Sequence, residues 1–316
     1  MSTAGHTSVM VKEVVEALNI RPDGTYVDAT FGRGGHTRAI LECLGPAGRV
    51  LAIDRDPDAC RYGHEVFANE PRMLLVQARF SDLAAIIERE GLRQRITGMV
   101  FDLGVSSPQL DHASRGFSFQ KQGPLDMRMD FSTGETVADW LSAVEEAELV
   151  RVLRELGEER YAKRIARAVV GARGHVPLTT TTELAALISQ CVPTAEPGKH
   201  PATRTFQALR IKVNGELDEL DVILSQIESL LSVNGRLVVI SFHSLEDRRV
   251  KHFFRRCARG DRYPPDLPIT RDQIRPTLRL VGKLLRPTSE EVDLNPRARS
   301  AVMRVAERTA EKISCV

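Results

Sequence analysis

The sequence predicts an α/β fold: a doubly wound, largely parallel sheet interrupted by an all-helical insertion. Three observations predict it. Short β-rich apolar runs alternate with helix-like segments through the first hundred residues. From about Ser106 to Pro201 the alternation stops and only helical spacing recurs. It then resumes with a long amphipathic helix and the buried run RLVVISF. The expected domains are a first core part at 1–108, a helical insertion at 109–205, serving substrate recognition, and a second core part at 206–316.

Strands are expected at 25–29, 49–54, 72–77 and 97–103, with helices near 37–44, 57–68 and 82–90 between them. Asp56 is placed to cap the second helix with Pro57 at its first position, and Ser81 and Asp82 open the third. In the insertion, Thr136-x-x-Asp139 and Thr180-x-x-Glu183 have the form of capping boxes. Leu149, Val150, Leu153 and Leu156 follow at helical spacing. Leu217, Leu220, Ile223, Leu224, Ile227, Leu230 and Leu231 form one apolar helix face, stopped by Asn234-Gly235. Segments 277–285 and 300–306 can close the sheet as an antiparallel pair.

Within this frame the stretch Thr25–Asp54 carries the most information. It reads as strand, glycine-rich turn, helix, second strand and terminal acid, a unit that holds a nucleotide-like ligand at the carboxyl ends of the strands. Gly32, Gly34 and Gly35 let the main chain approach the ligand, and His36 stands at the helix start. Thr37 occupies the place where a dinucleotide fingerprint needs its last small residue, and Asp28 precedes the loop. The spelling D-x-T-x-G-x-G-G favours S-adenosyl-L-methionine over a pyrophosphate cofactor. Asp54 lies 20 residues beyond Gly34, the spacing at which an acid reaches ribose hydroxyls. Phe80, after the third strand, is placed to pack on an adenine face.

Two polar loops follow neighbouring strands. Asp102 ends the fourth strand, and Ser106, Ser107, Gln109 and Asp111 come directly after it. Ser241, His243 and Ser244 end the next core strand. A carboxylate buried at such an edge must be paired or solvated, which favours a site role for Asp102. Other chemistries fit poorly. Pro193 and His200 spoil a phosphate loop around Gly198-Lys199, and HExxH and G-x-S-x-G are both absent.

Bulk properties set the limits. Net charge is +2, yet Arg248–Arg299 holds 14 Lys or Arg against 6 Asp or Glu. A basic C-terminal third suits either a face that meets phosphates or a solvated surface balanced by partners elsewhere, and Arg248, Arg249, Lys251 and Arg255 are the candidate phosphate contacts. Five scattered cysteines without a CxxC pair argue against a disulfide framework or zinc site, so no metal is expected and a reducing cytoplasm is the expected location. No apolar run approaches the roughly 18 residues of a membrane span, and the N-terminus lacks a secretory pattern.

The chain as a whole resembles one family, the bacterial small-subunit (16S) ribosomal RNA cytosine-N4 methyltransferases of MraW type. The matching phrases are HTSVM, DATFGRGGHTRAIL, AIDRD, DLGVSSPQLD, RGFSF with GPLDMRMD, ATRTFQALRIKVNGEL, ISFHSLEDR and NPRARSAVMRV. The resemblance implies a class I (Rossmann-like) methyltransferase core with a helical insertion. It implies methyl transfer from S-adenosyl-L-methionine to cytidine N4 in the decoding region of small-subunit ribosomal RNA. Its cofactor contacts fall on Gly34, Gly35, His36, Asp54, Phe80, Asp102 and Gln109. The substrate would be that RNA, free or in an assembled small subunit. A homodimer stays open.

Many DNA amino-methyltransferases carry [DNS]-P-P-[FYW] after the fourth strand, where this chain reads Asp102-Leu103-Gly104-Val105. Their amine-binding arrangement therefore does not carry over. Asp102, Ser106 and Ser107 are the candidates for orienting the amine, with His243 as a further candidate proton acceptor. Three rival readings remain at this stage: a nicotinamide oxidoreductase, a non-catalytic ribosome-assembly factor, and a methyltransferase acting on another nucleic acid such as DNA, or on protein.

Overall fold

In a computed structural model of the chain, the described residues are 8–194, 198, 200–260 and 274–310. They form two units, a core (Met1–Gly104 with Leu217–Val316) and a helical unit (Val105–Glu216).

In the core, α1 (Val11–Leu18) precedes β1 (Thr25–Asp28), α2 (Gly35–Cys43), β2 (Arg49–Asp54), α3 (Pro57–Val66), β3 (Met73–Gln77), α4 (Leu83–Arg89) and β4 (Ile96–Asp102). These are the expected strands and helices to within two residues at most ends. The Asp56 carboxylate caps α3 by accepting the Asp58 N–H at 2.9 Å, with Pro57 at its first position. The third helix begins differently: a 3-10 turn at Phe80–Asp82 leads into α4, and Asp82 makes no side-chain cap.

The helical unit holds α5 (Ser107–Asp111), α6 (Val137–Ala143), α7 (Glu146–Gly157), α8 (Ala162–Arg173), α9 (Thr181–Cys191) and α10 (Thr203–Asn214). Both expected capping boxes form, at Thr136/Asp139 and Thr180/Glu183. Leu149, Leu153, Ile165, Val169, Leu184 and Ile188 build its core with Trp140 and Phe206. The unit is wider than 109–205 because α10 packs into it. Phe206, Ala208 and Leu209 join that core, and Asn214 accepts the Met129 N–H and donates to the Met127 carbonyl.

The core then continues with α11 (Glu216–Leu230), β5 (Leu231–Ser241), α12 (Ser244–Arg259), β6 (Leu278–Leu280), α13 (Ser289–Leu294) and β7 (Val302–Arg308). Strand order is β3-β2-β1-β4-β5-β7-β6, with β7 antiparallel to both β5 and β6, as the closing pair predicts. Asn234-Gly235 does not stop α11. The helix ends at Leu230 and the strand starts at once; the pair lies inside β5, where its register against β4 slips between Ile96 and Gly98. Asn234 sits there at φ 62°, a left-handed conformation an asparagine tolerates.

The sheet is buried on both faces, with residues alternating between them. Val27, Leu51, Met99, Phe101 and Val239 pack with α4, α11 and α12. Tyr26, Val50, Val100 and Val238 pack with α1 and α2. β1 lies between β2 and β4, so the connections leave in opposite directions there, and the carboxyl ends of the strands at such a switch point are where open α/β sheets bind their ligands. No described helix is long and apolar enough to cross a membrane.

Candidate active site

The core gathers Gly34, Gly35, His36, Asp54, Phe80, Asp102 and His243 in the segments following β1, β2, β3, β4 and β5, at the carboxyl edge of the sheet. The first loop is held from below. Asp28 is fully buried and takes the Thr37 hydroxyl at 2.7 Å and the Thr30 N–H at 3.2 Å. Burial pushes its pKa up, against the pull of His36 and these hydrogen bonds. Thr37 thus has a physical role at the position where a dinucleotide loop keeps a small residue. Thr30 ties the loop to β4 by accepting the Asp102 N–H at 2.7 Å.

Gly34 caps α2 at φ 72°, and a Cβ there would lie 2.6 Å from the Phe31 ring and 2.8 Å from Phe67. Gly34→Ala therefore combines backbone strain with overpacking, and should destabilise the core by about 2–4 kcal/mol. Thermal melting and titration with S-adenosylhomocysteine would check it; an unchanged melt and unchanged affinity would contradict it.

Asp54 braces the same loop, accepting the Gly32 N–H at 2.7 Å through Oδ2 and the Asp56 N–H at 2.8 Å through Oδ1. Burial raises its pKa to about 6 despite those bonds. A carboxylate has roughly four acceptor positions, so ribose hydroxyls can still bond to it. The Asp54 carbonyl accepts the Ala78 N–H at 2.9 Å, which brings the end of β3 beside it. Two residues further on, half-buried Phe80 stands edge-on to Phe101 at 5.9 Å.

His36 is buried and donates from Nε2 to the Val9 carbonyl at 2.9 Å, which leaves Nδ1 toward Asp102, 3.8 Å from Oδ2. Asp102 Oδ1 is buried and accepts no hydrogen bond from any described residue. Burial is the main cause raising Asp102 to about 6; His36 opposes it, while Asp28, Glu246 and Glu291 add to it. The result is a carboxylate at the edge whose pKa lies near working pH and which has acceptor capacity to spare.

His243 behaves differently. It is the N-cap of α12: Nδ1 accepts the Glu246 N–H at 3.4 Å, and Nε2 lies 3.1 Å from Glu246 Oε1. Glu246 reciprocates by accepting the Phe242 and His243 N–H groups at 2.8 and 3.2 Å. Nδ1 is thus taken up by the start of its own helix, whereas the buried Nε2 makes no hydrogen bond among the described residues, and Ser241 beside it is buried. Histidine is an unusual N-cap, so sequence reasoning had no signal for this role.

Ser106, Ser107 and Gln109 belong to the helical unit. Ser106 and Gln109 form the capping box of α5, Gln109 Oε1 accepting the Ser106 N–H at 2.9 Å, and Ser107 is the helix's first residue.

On α12, Leu245, Glu246, Val250, Phe253, Phe254 and Cys257 face the interior. Opposite them, Arg248, His252, Arg255 and Arg259 are exposed at helical spacing, with Arg256 alongside. Arg248 and Arg255 of the expected RNA contacts lie on this stripe. Lys251 is half-buried, and Arg249 is half-buried and paired with Asp221 at 3.1 Å. The sequence reading missed Arg259 and His252, which the period of the buried face would have supplied.

A glycine loop after β1, a partly buried acid at the end of β2 and a β3-β2-β1-β4-β5-β7-β6 sheet are the arrangement of a class I methyltransferase core. The chain belongs to the MraW methylase family, which it matches over residues 3–309. It is 55% identical over 304 residues to the ribosomal RNA small subunit methyltransferase H of Chromohalobacter salexigens, covering 96% of this chain and 91% of that one. It is 53% identical over 315 residues to the protein of that name from Nitrosospira multiformis, covering 98% and 99%.

Proposed function

We propose that this chain transfers a methyl group from S-adenosyl-L-methionine to the N4 amine of a cytidine in the decoding region of small-subunit ribosomal RNA, in the cytoplasm. The observation that carries the substrate is the likeness, at more than half identity over nearly the full length, to ribosomal RNA small subunit methyltransferases H. The residues at the sheet edge fit the cofactor. Gly34 and Gly35 would admit its backbone-facing half beside His36, Asp54 would take the ribose hydroxyls, and Phe80 would take the adenine face. When bound, the cofactor supplies an electrophilic methyl on sulfonium.

The remaining work falls to the chain. A cytosine N4 lone pair is delocalised into the ring, so the amine must be held in line and relieved of a proton. Asp102 suits that task because its pKa is near 6 and Oδ1 has room for a donor. Ser106 and Ser107 are the neighbouring hydroxyls in sequence that can orient the amine. The cap that His243 Nδ1 makes on the Glu246 N–H favours a bracing role for that residue, although its buried Nε2 makes no hydrogen bond among the described residues. RNA bases must leave their stack to reach such an edge, and the α12 stripe and the helical unit are the surfaces assigned to holding the strand.

The test uses tritiated S-adenosylmethionine with purified protein and small subunits, or naked ribosomal RNA, from a strain lacking this gene. Label on N4 of one cytidine, located by nuclease digestion and mass analysis, is the expected result. Cofactor binding without label on either substrate would favour an assembly factor or another nucleic acid.

A further inference from the structure

One buried ion pair of the core lies beside the loops assigned to the cofactor. Glu219, in the first turns of α11, is only 5% exposed. Its Oε1 accepts from Arg55 Nη1 at 2.8 Å and lies 3.5 Å from Arg79 Nη1. Arg55 directly follows Asp54, and Arg79 directly precedes Phe80. One carboxylate oxygen on a helix therefore meets both loop tips, the one with the ribose acid and the one with the adenine aromatic. The Ala78 N–H to Asp54 carbonyl bond links the same two tips through the main chain.

We propose that Glu219 is a positioning residue for the adenosine half of the cofactor, acting through Arg55 and Arg79. This rests on the placement of ribose at Asp54 and adenine at Phe80. A carboxylate is costly to bury even when paired, and apolar residues often pack as stably in its place. Its location is accounted for by what it fixes, namely the separation between the ribose acceptor and the adenine face. A ligand that must touch both loops at once binds best when that separation is set beforehand. Arg55 is the stronger arm, being 11% exposed at the shorter distance; Arg79 is 52% exposed and adds less.

Glu219→Gln keeps the shape of the side chain and removes the charge. Calorimetric titration of the variant should show S-adenosylhomocysteine and adenosine alone weakened by the same factor, about tenfold, a usual effect of losing an orienting partner. KM for S-adenosylmethionine should rise by that factor while kcat and the KM for the small subunit hold. In an Arg55→Met background, adding Glu219→Gln should produce little further loss. A purely structural pair would lower the melting temperature and leave the Kd of the folded protein unchanged, which would overturn the proposal. So would equal losses in the Arg55→Met and wild-type backgrounds. Asp54→Asn and Phe80→Ala are the controls. If they weaken adenosine and Glu219→Gln does not, the positioning role alone fails; if neither control weakens it, the cofactor placement fails and the inference with it.

Discussion

Asp102→Asn should slow methyl transfer by about 10²–10⁴-fold, the usual contribution of a positioned proton acceptor, while S-adenosylhomocysteine still binds. Asparagine keeps the size of the side chain and its backbone bond to Thr30, but cannot take a proton. In the wild type, the acid limb of kcat should fall away below about pH 6, where the Asp102 carboxyl becomes protonated. Single-turnover rates from pH 5 to 8 would measure both effects; an unaltered rate in the variant would remove Asp102 from the chemistry.

The same group has a stability signature of opposite sign. Its folded pKa of about 6 lies above the ordinary carboxylate value of 3.8, so the folded state holds the proton more tightly than the unfolded chain. Its contribution to stability is full below the unfolded value and is lost as pH rises through about 6. The melting-temperature gain of Asp102→Asn over wild type should therefore be larger at pH 8 than at pH 5. A gain that shrank on raising the pH would contradict this assignment of charge.

Neutralising the α12 stripe with Arg248→Ala, Arg255→Ala and Arg259→Ala together should weaken RNA binding about a hundredfold near 0.1 M salt. The slope of log affinity against log salt should fall by about 2–3, since each lost phosphate contact removes roughly 0.7–0.9 of released counterion. Because these side chains lie opposite the buried face of the helix, cofactor affinity should hold. Filter binding of a decoding-region RNA fragment from 50 to 300 mM salt would test it. An unchanged slope would move the phosphate-binding surface elsewhere. Arg249→Ala alone should matter far less, because that side chain is already turned to Asp221.

What the sequence discloses divides along the range of the interactions involved. Strands β1 to β4, the proline-started α3 and the two threonine capping boxes rest on signals within a few residues of each other, and they were legible. The closing pair β6 and β7 was legible because its apolar runs stand alone. The far end of the helical unit was not, since α10 carries apolar residues that fit either unit and only tertiary packing decides between them. Asn234-Gly235 read as a helix stop because the pair commonly is one, whereas here it absorbs a slip in strand register.

At the candidate site, the sequence indicates which loops meet but not what each side chain touches there. Nothing local announces that His36 gives its Nε2 proton to Val9 or that His243 caps a helix. Glu219 meets Arg55 across 164 positions of chain. The arginine stripe is an intermediate case, since its spacing was present in the sequence and needed only the buried face of α12 for alignment.

The helical unit enters the chain between two strands that lie side by side. Asp102 at the end of β4 is paired in register with Ile240 of β5, yet the whole of Val105–Glu216 is made between them. At about 5–20 residues per second, a growing chain leaves one side of β4 without its neighbour for roughly 7–28 seconds. That strand carries Ile96, Met99, Val100 and Phe101, and its unpaired backbone offers a template to any other extended segment. The edge of β4 is thus the point at which biosynthesis of this protein is most exposed to misassociation. Chaperone demand should track how quickly β5 arrives there.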